Sequence, residues 1–160
     1  MDQPGILLIE DDYDDAGLTL RILKKYRIAN SVENVRDPEE AFRLLRYGQS
    51  AQPGDGSSTG AEPAGGKPRA MQGQFRPELI LIGYGQPRMP SMEIAIRIRS
   101  FPEMDQVPLI ICCGAPEEET LVKQWGMRRV VSLSKPVGFF KLLECIQKLE
   151  MHWHVFDSKP

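Results

Sequence analysis

Four short apolar runs punctuate the chain, with a weaker fifth among them, and the segments between them carry apolar residues at helical spacing. "GILLIE" (5–10), "LILIG" (79–83), "VPLIICC" (107–113) and "RVVSLS" (129–134) are rich in branched residues, as expected of parallel strands buried on both faces. "SVENV" (31–35) is polar and short, a pattern that suits a sheet edge. After the first run, Leu18, Leu20, Ile22, Leu23 and Tyr26 form a broad apolar helical face against Arg21, Lys24 and Lys25. "DPEEAFRLLRYG" carries its own boundaries. Asp37 is an N-cap, Pro38 suits the first helical position, Glu40 completes a box-like spacing, and Gly48 can end the helix. Ala41, Leu44 and Leu45 form its inward stripe.

"SMEIAIRIRS" (91–100) pulls two ways. Met92, Ile94, Ile96 and Ile98 alternate with polar or small residues, which is a strand period. A parallel sheet nevertheless needs a crossover before the next strand, so the segment is expected to be a helix burying Ile94, Ala95 and Ile98. "PEEETLVKQWG" has acids in its first turn, where the helix dipole favours them, and a stop at Gly126. Phe139, Leu142, Leu143, Ile146, Leu149 and Trp153 outline a final amphipathic helix. Strict alternation of strand and helix implies an α/β fold, a doubly wound parallel sheet with helices on both faces. The loops after the first and third strands then lie side by side at the carboxyl edge, gathering Glu10, Asp11, Asp12, Gly83 and Lys135.

The 160-residue length favours one domain, read here as 1–150 with a tail at 151–160. Residues 49–76, "QSAQPGDGSSTGAEPAGGKPRAMQGQFR", have almost nothing to bury and are expected to form a flexible insert. A tolerated surface insertion and a partner-binding segment that orders on contact are both compatible with that composition. A formal net charge of −2 gives no support for nucleic-acid binding. No apolar stretch approaches the ~20 residues of a membrane span, and residues 1–5 lack the basic start of a signal peptide. Cys112 and Cys113 lie in an apolar run and read as buried free thiols, which suits a cytoplasmic location. His152 and His154 have poor spacing for one metal on a helix. Arg97, Arg99, Arg128 and Arg129 read as solvated basic faces.

"EDDYDD" lacks the glycine and distal glutamate of a calcium loop. "GYG" (83–85) lacks the third glycine or the lysine of a nucleotide-binding turn. What does stand out is the order of "LLIEDD", "PELILIGYGQP", "VPLIICC" and "SKPV" along the chain. In that order and spacing the sequence resembles the response-regulator receiver family. "RILKK", "VRDPEEAFRLL" and "LECIQKLEMHW" look most like the small stand-alone receivers associated with bacterial phytochrome kinases. The resemblance implies a flavodoxin-like strand order 2-1-3-4-5.

Carried over residue by residue, the resemblance makes Glu10 and Asp11 the acidic pair that holds Mg²⁺, and Lys135 the lysine that contacts the phosphoryl group. Gly83 falls at the phosphoacceptor aspartate, and Cys113 at the Thr or Ser hydroxyl. Gly85 would supply a backbone carbonyl to the metal. The aromatic switch position falls near Ser132 or Val131, neither of which is Tyr or Phe.

Glycine offers no nucleophile, and losing one carboxylate should leave Mg²⁺ binding weak or absent. Lys135 is then expected to pair directly with Glu10 or Asp11, and Gly83→Asp to restore phosphate acceptance in part. The favoured function is an atypical, non-enzymatic pseudo-receiver with no resident cofactor, acting by phosphorylation-independent protein–protein interaction. Its expected partners are a sensor kinase or other signalling protein, or a second copy, through the face of the fourth helix, fifth strand and fifth helix. No nucleic acid or membrane contact is expected. The alternative is a phospho-accepting receiver that uses another acid, such as Asp12, with Mg²⁺.

Overall fold

The computed structural model describes residues 5–27, 31–49 and 76–149. The insert expected at 49–76 lies outside them apart from its two end residues, and so does the 151–160 tail with Trp153, His152 and His154. The elements run β1 (Gly5–Ile9), α1 (Tyr13–Lys25), β2 (Ser31–Val35), α2 (Pro38–Gln49), β3 (Leu79–Gly83) and α3 (Ser91–Arg99). A short 3-10 turn (Pro102–Met104) precedes β4 (Leu109–Cys113), α4 (Pro116–Gln124), β5 (Val130–Ser134) and α5 (Phe139–Lys148). The strands form one sheet in the order β2-β1-β3-β4-β5, with every pairing parallel. This is the flavodoxin-like doubly wound fold, and the polar β2 takes an edge.

Strand alternation sorts the core into two layers. Leu7, Ile9, Ile80, Ile82, Leu109, Ile111 and Cys113 pack with α2, α3 and α4. Ile6, Leu8, Leu79, Leu81, Ile110 and Cys112 pack with α1 and α5. The ambiguous segment is a helix, and it buries Ile94, Ala95 and Ile98 along with Ser91. Its sheet-like alternation reflects only that Met92 and Ile96 are apolar and exposed.

Two helical faces differ from expectation. α1 buries Ala16, Thr19 and Leu23, whereas Leu18 faces out. Counting only large apolar residues hid this stripe, because its first two members are small or polar. In α5, Cys145 is fully packed beside Leu142 and Ile146, while Leu143 is only half-buried. Asp37 does start α2, accepting from the Glu39 N–H at 3.1 Å. Arg99 is not a solvated charge. Its guanidinium donates to the carbonyls of Met104, Val107 and Arg128 at 2.9, 2.6 and 2.7 Å, and so ties α3 to the turn before β5.

Candidate functional site at the carboxyl edge

The registers Ile9↔Ile82 and Gly83↔Cys112 align the ends of β1, β3 and β4. Lys135, the residue after β5, is held there by its own N–H, which donates to the Cys113 carbonyl at 2.7 Å. Glu10 extends β1 by one residue through an N–H bond to the Val35 carbonyl at 3.0 Å, and only 4% of its surface is exposed. Its two carboxylate oxygens have different partners. Oε2 accepts from the Asp12 N–H at 3.0 Å, and Oε1 lies 3.1 Å from Lys135 Nζ.

Lys135 Nζ also donates to Asp15 Oδ2 at 2.8 Å, which places one ammonium between two carboxylates. Burial works against its charge, but the Asp15 hydrogen bond and the Glu10 charge outweigh it and raise the pKa above the ordinary value. At Glu10 the balance goes the other way. Desolvation raises its pKa by more than the Asp12 N–H and Lys135 lower it. The pair is asymmetric, with Lys135 doubly compensated and Glu10 more deeply buried than its partners repay.

At the tip of β3, Gly83 leaves room that Glu10 enters. A Cβ built on Gly83 would fall on the Glu10 carboxylate, 2.8 Å from its Cδ and 3.0 Å from Oε2. Real Cβ atoms do not approach neighbours that closely, so Gly83→Asp cannot be accommodated while Glu10 stays in place. The rescue expected of Gly83→Asp therefore requires the Glu10 side chain to swing aside. Behind this contact, Gln86 is buried, and its Nε2 donates at 3.0 Å to both the Ile9 and Gly83 carbonyls, stitching the two strand ends together. Gly85 turns the chain with φ +80°.

Other residues singled out from the sequence have different fates. Asp11 has no hydrogen bond or ion pair among the described residues, so Lys135 pairs with Glu10 and Asp15 and not with Asp11. Asp12 is the N-cap of α1, accepting from the Asp15 N–H at 2.9 Å with its side chain exposed. Cys113 is fully buried, directs Sγ at the Ile111 carbonyl 3.5 Å away, and has its thiol pushed up to about 12 by burial, with Glu118 and Glu119 adding to the shift. Asp15 and Gln86 were missed. Asp15 lies in the first turn of α1, where acids are ordinary, while Gln86 is a polar residue that only packing reveals as buried.

The Glu10 carboxylate is engaged by groups of the chain itself. Oε2 is taken by the Asp12 N–H and Oε1 by Lys135, whereas Asp11 has no such partner among the described residues. Among the described residues, no three His, Cys, Asp or Glu side chains are grouped to hold a metal ion. No helix among them is long and apolar enough to cross a membrane.

A parallel sheet in this order, with an acidic residue after β1 and a lysine after β5 meeting at the carboxyl edge, is the fold of response-regulator receiver domains, and the proteins this chain is similar to are response regulators. No family model matches the chain. The response regulator Rcp1 of Synechocystis sp. is 22% identical over 152 residues, which cover 92% of this chain and 87% of that protein. Among solved structures, the bacteriophytochrome response regulator AtBRR superposes with a TM-score of 0.74 at 25% identity, covering 96% of this chain and 97% of that one. RtBRR, also a bacteriophytochrome response regulator, gives 0.73 at 26% identity, covering 99% and 85%. A Mn(2+)-bound form of Rcp1 gives 0.60 at 20% identity, covering 92% and 91%, and supports the likeness of fold.

Proposed function

We propose that this chain is a pseudo-receiver: a signalling module whose output is docking and does not depend on phosphorylation. In this reading Gly83 stands at the phosphoacceptor position, Glu10 and Asp11 at the acidic pair, Cys113 at the hydroxyl position, and the Gly85 carbonyl at the third metal ligand. The observation that carries the reading is the closed pocket. The end of β3 offers no oxygen nucleophile, and the space before it holds the Glu10 carboxylate, ion-paired to Lys135 at 3.1 Å. Phosphoryl transfer needs an in-line nucleophile, and none projects from the end of β3. The module is not an enzyme in this reading, works in the cytoplasm, and has no resident Mg²⁺.

Likeness to bacteriophytochrome response regulators favours a sensor kinase or a protein of the same signalling chain as partner. The docking face we favour is α4–β5–α5, which would also serve a homodimer. It exposes Leu121 (47%) and Phe140 (80%), beside half-buried Val130, Val131 and Phe139. The second reading, phosphate acceptance at Asp12, has no observation in its favour, since that side chain caps α1.

The test is the intact mass after incubation with Mg²⁺ and a small phosphodonor such as acetyl phosphate. We expect no increment. A stoichiometric, base-labile phosphoryl increment that disappears in Asp12→Asn would overturn the proposal in favour of the second reading.

A further inference from the structure

Three groups meet around the Glu10 carboxylate: the Lys135 ammonium at 3.1 Å, the Asp12 N–H at 3.0 Å, and the bare Cα of Gly83. Together they make an anion seat, with a cation on one side, a backbone donor on another, and a wall that has no side chain. Gly83 is not needed there for its backbone freedom. It sits in the β3–β4 ladder opposite Cys112, and it is not among the glycines with positive φ, Gly85 and Gly126. What glycine supplies at 83 is volume.

We infer that Glu10 is a built-in occupant of this seat and that Gly83 exists to admit it. Glu10 as placed fills the volume that a side chain rooted at residue 83 would take, so such a side chain must displace it. The inference rests on the reading of the pocket as closed, and it names what closes it. The ammonium that would answer an incoming phosphoryl group already has a permanent carboxylate partner from its own chain, with Asp15 as a second at 2.8 Å. A carboxylate placed at residue 83 would meet the Glu10 carboxylate in the same volume and be repelled by its charge. A side chain at residue 83 and Glu10 in its present rotamer therefore exclude each other.

A double-mutant cycle measures this directly. Thermal midpoints are read for the wild type, Gly83→Ala, Glu10→Ala and the double variant, without Mg²⁺ or phosphodonor. In the wild-type background Gly83→Ala is expected to lower the midpoint by on the order of 5 °C, because its Cβ displaces a buried, paired carboxylate. In the Glu10→Ala background the same substitution is expected to leave the midpoint unchanged or raise it, since the space is free and alanine restricts the unfolded chain. Equal shifts in the two backgrounds would overturn the inference.

Should Glu10→Ala fail to fold, Glu10→Asp takes its place. Its shorter stem is expected to cut the Gly83→Ala penalty, and an undiminished penalty would count against the inference. The cycle contains no phosphodonor, so a failed mass experiment and a failed cycle are separate results.

Discussion

The ends of β1 and β3 lie side by side, yet their side chains are opposite in kind. β1 runs into Glu10, Asp11 and Asp12, with Asp15 one turn on, while β3 stops at a residue with no side chain. Taken singly, one end looks overloaded with acids and the other stripped. Together they are complementary, because the long, flexible carboxylate from β1 occupies the volume left at β3 and takes up the lysine from β5. A vacancy in a close-packed edge is filled by whichever neighbour can reach it with its polar groups satisfied. Glu10 is the side chain that enters, and its neighbour Asp11 makes no contact with Lys135.

The strongest way to break this arrangement is to remove the charge that both acids share. Lys135→Met should leave Glu10 buried without its cation and cost about 3 kcal/mol in urea unfolding. A loss under about 1 kcal/mol would mean the pair behaves as an exposed one. Next comes the stitch beneath it. Gln86→Ala should cost about 2 kcal/mol, because two inward carbonyls, those of Ile9 and Gly83, lose a shared donor. Amide exchange at the tips of β1 and β3 should then quicken relative to β4, and unchanged exchange there would show that the strand ends hold without Gln86.

The smallest effect separates the two ends by pH. The folded pKa of Glu10 is raised above the ordinary 4.5, chiefly by burial, so the folded state holds this proton more tightly than the unfolded chain. Its contribution to stability is full below 4.5 and is lost as pH rises through the raised value. Glu10→Gln should flatten the stability-versus-pH curve in that window, read from urea midpoints in mildly acidic buffers. An unaltered slope would assign the loss to another group.

Much of the fold was legible because apolar pattern and capping agree. Leu79 to Ile82 is an unbroken apolar run, Asp37 and Pro38 mark a helix start, and both behave accordingly. The crossover that a parallel sheet needs outweighs the misleading alternation of Met92 to Ile98. Side-chain partners were less accessible. Asp15 and Asp11 are the same residue type four positions apart, and no spacing rule says which one reaches a lysine 120 positions later. Arg99 read as a surface charge because nothing local shows that four carbonyls from three segments converge on it.

The sequence by itself determined the strand order's ingredients, the absence of a carboxylate at the end of β3, and the presence of Glu10 after β1 and Lys135 after β5. These follow from residue identity and periodicity, which are properties of a one-dimensional string. Only the tertiary structure decided that Glu10 occupies the volume above Gly83, that Asp15 completes the lysine's partners, and that Gln86 joins the two strands from below. Those outcomes depend on which rotamers fit once parallel strands bring distant residues within a few ångströms, where excluded volume and desolvation act on all of them at once.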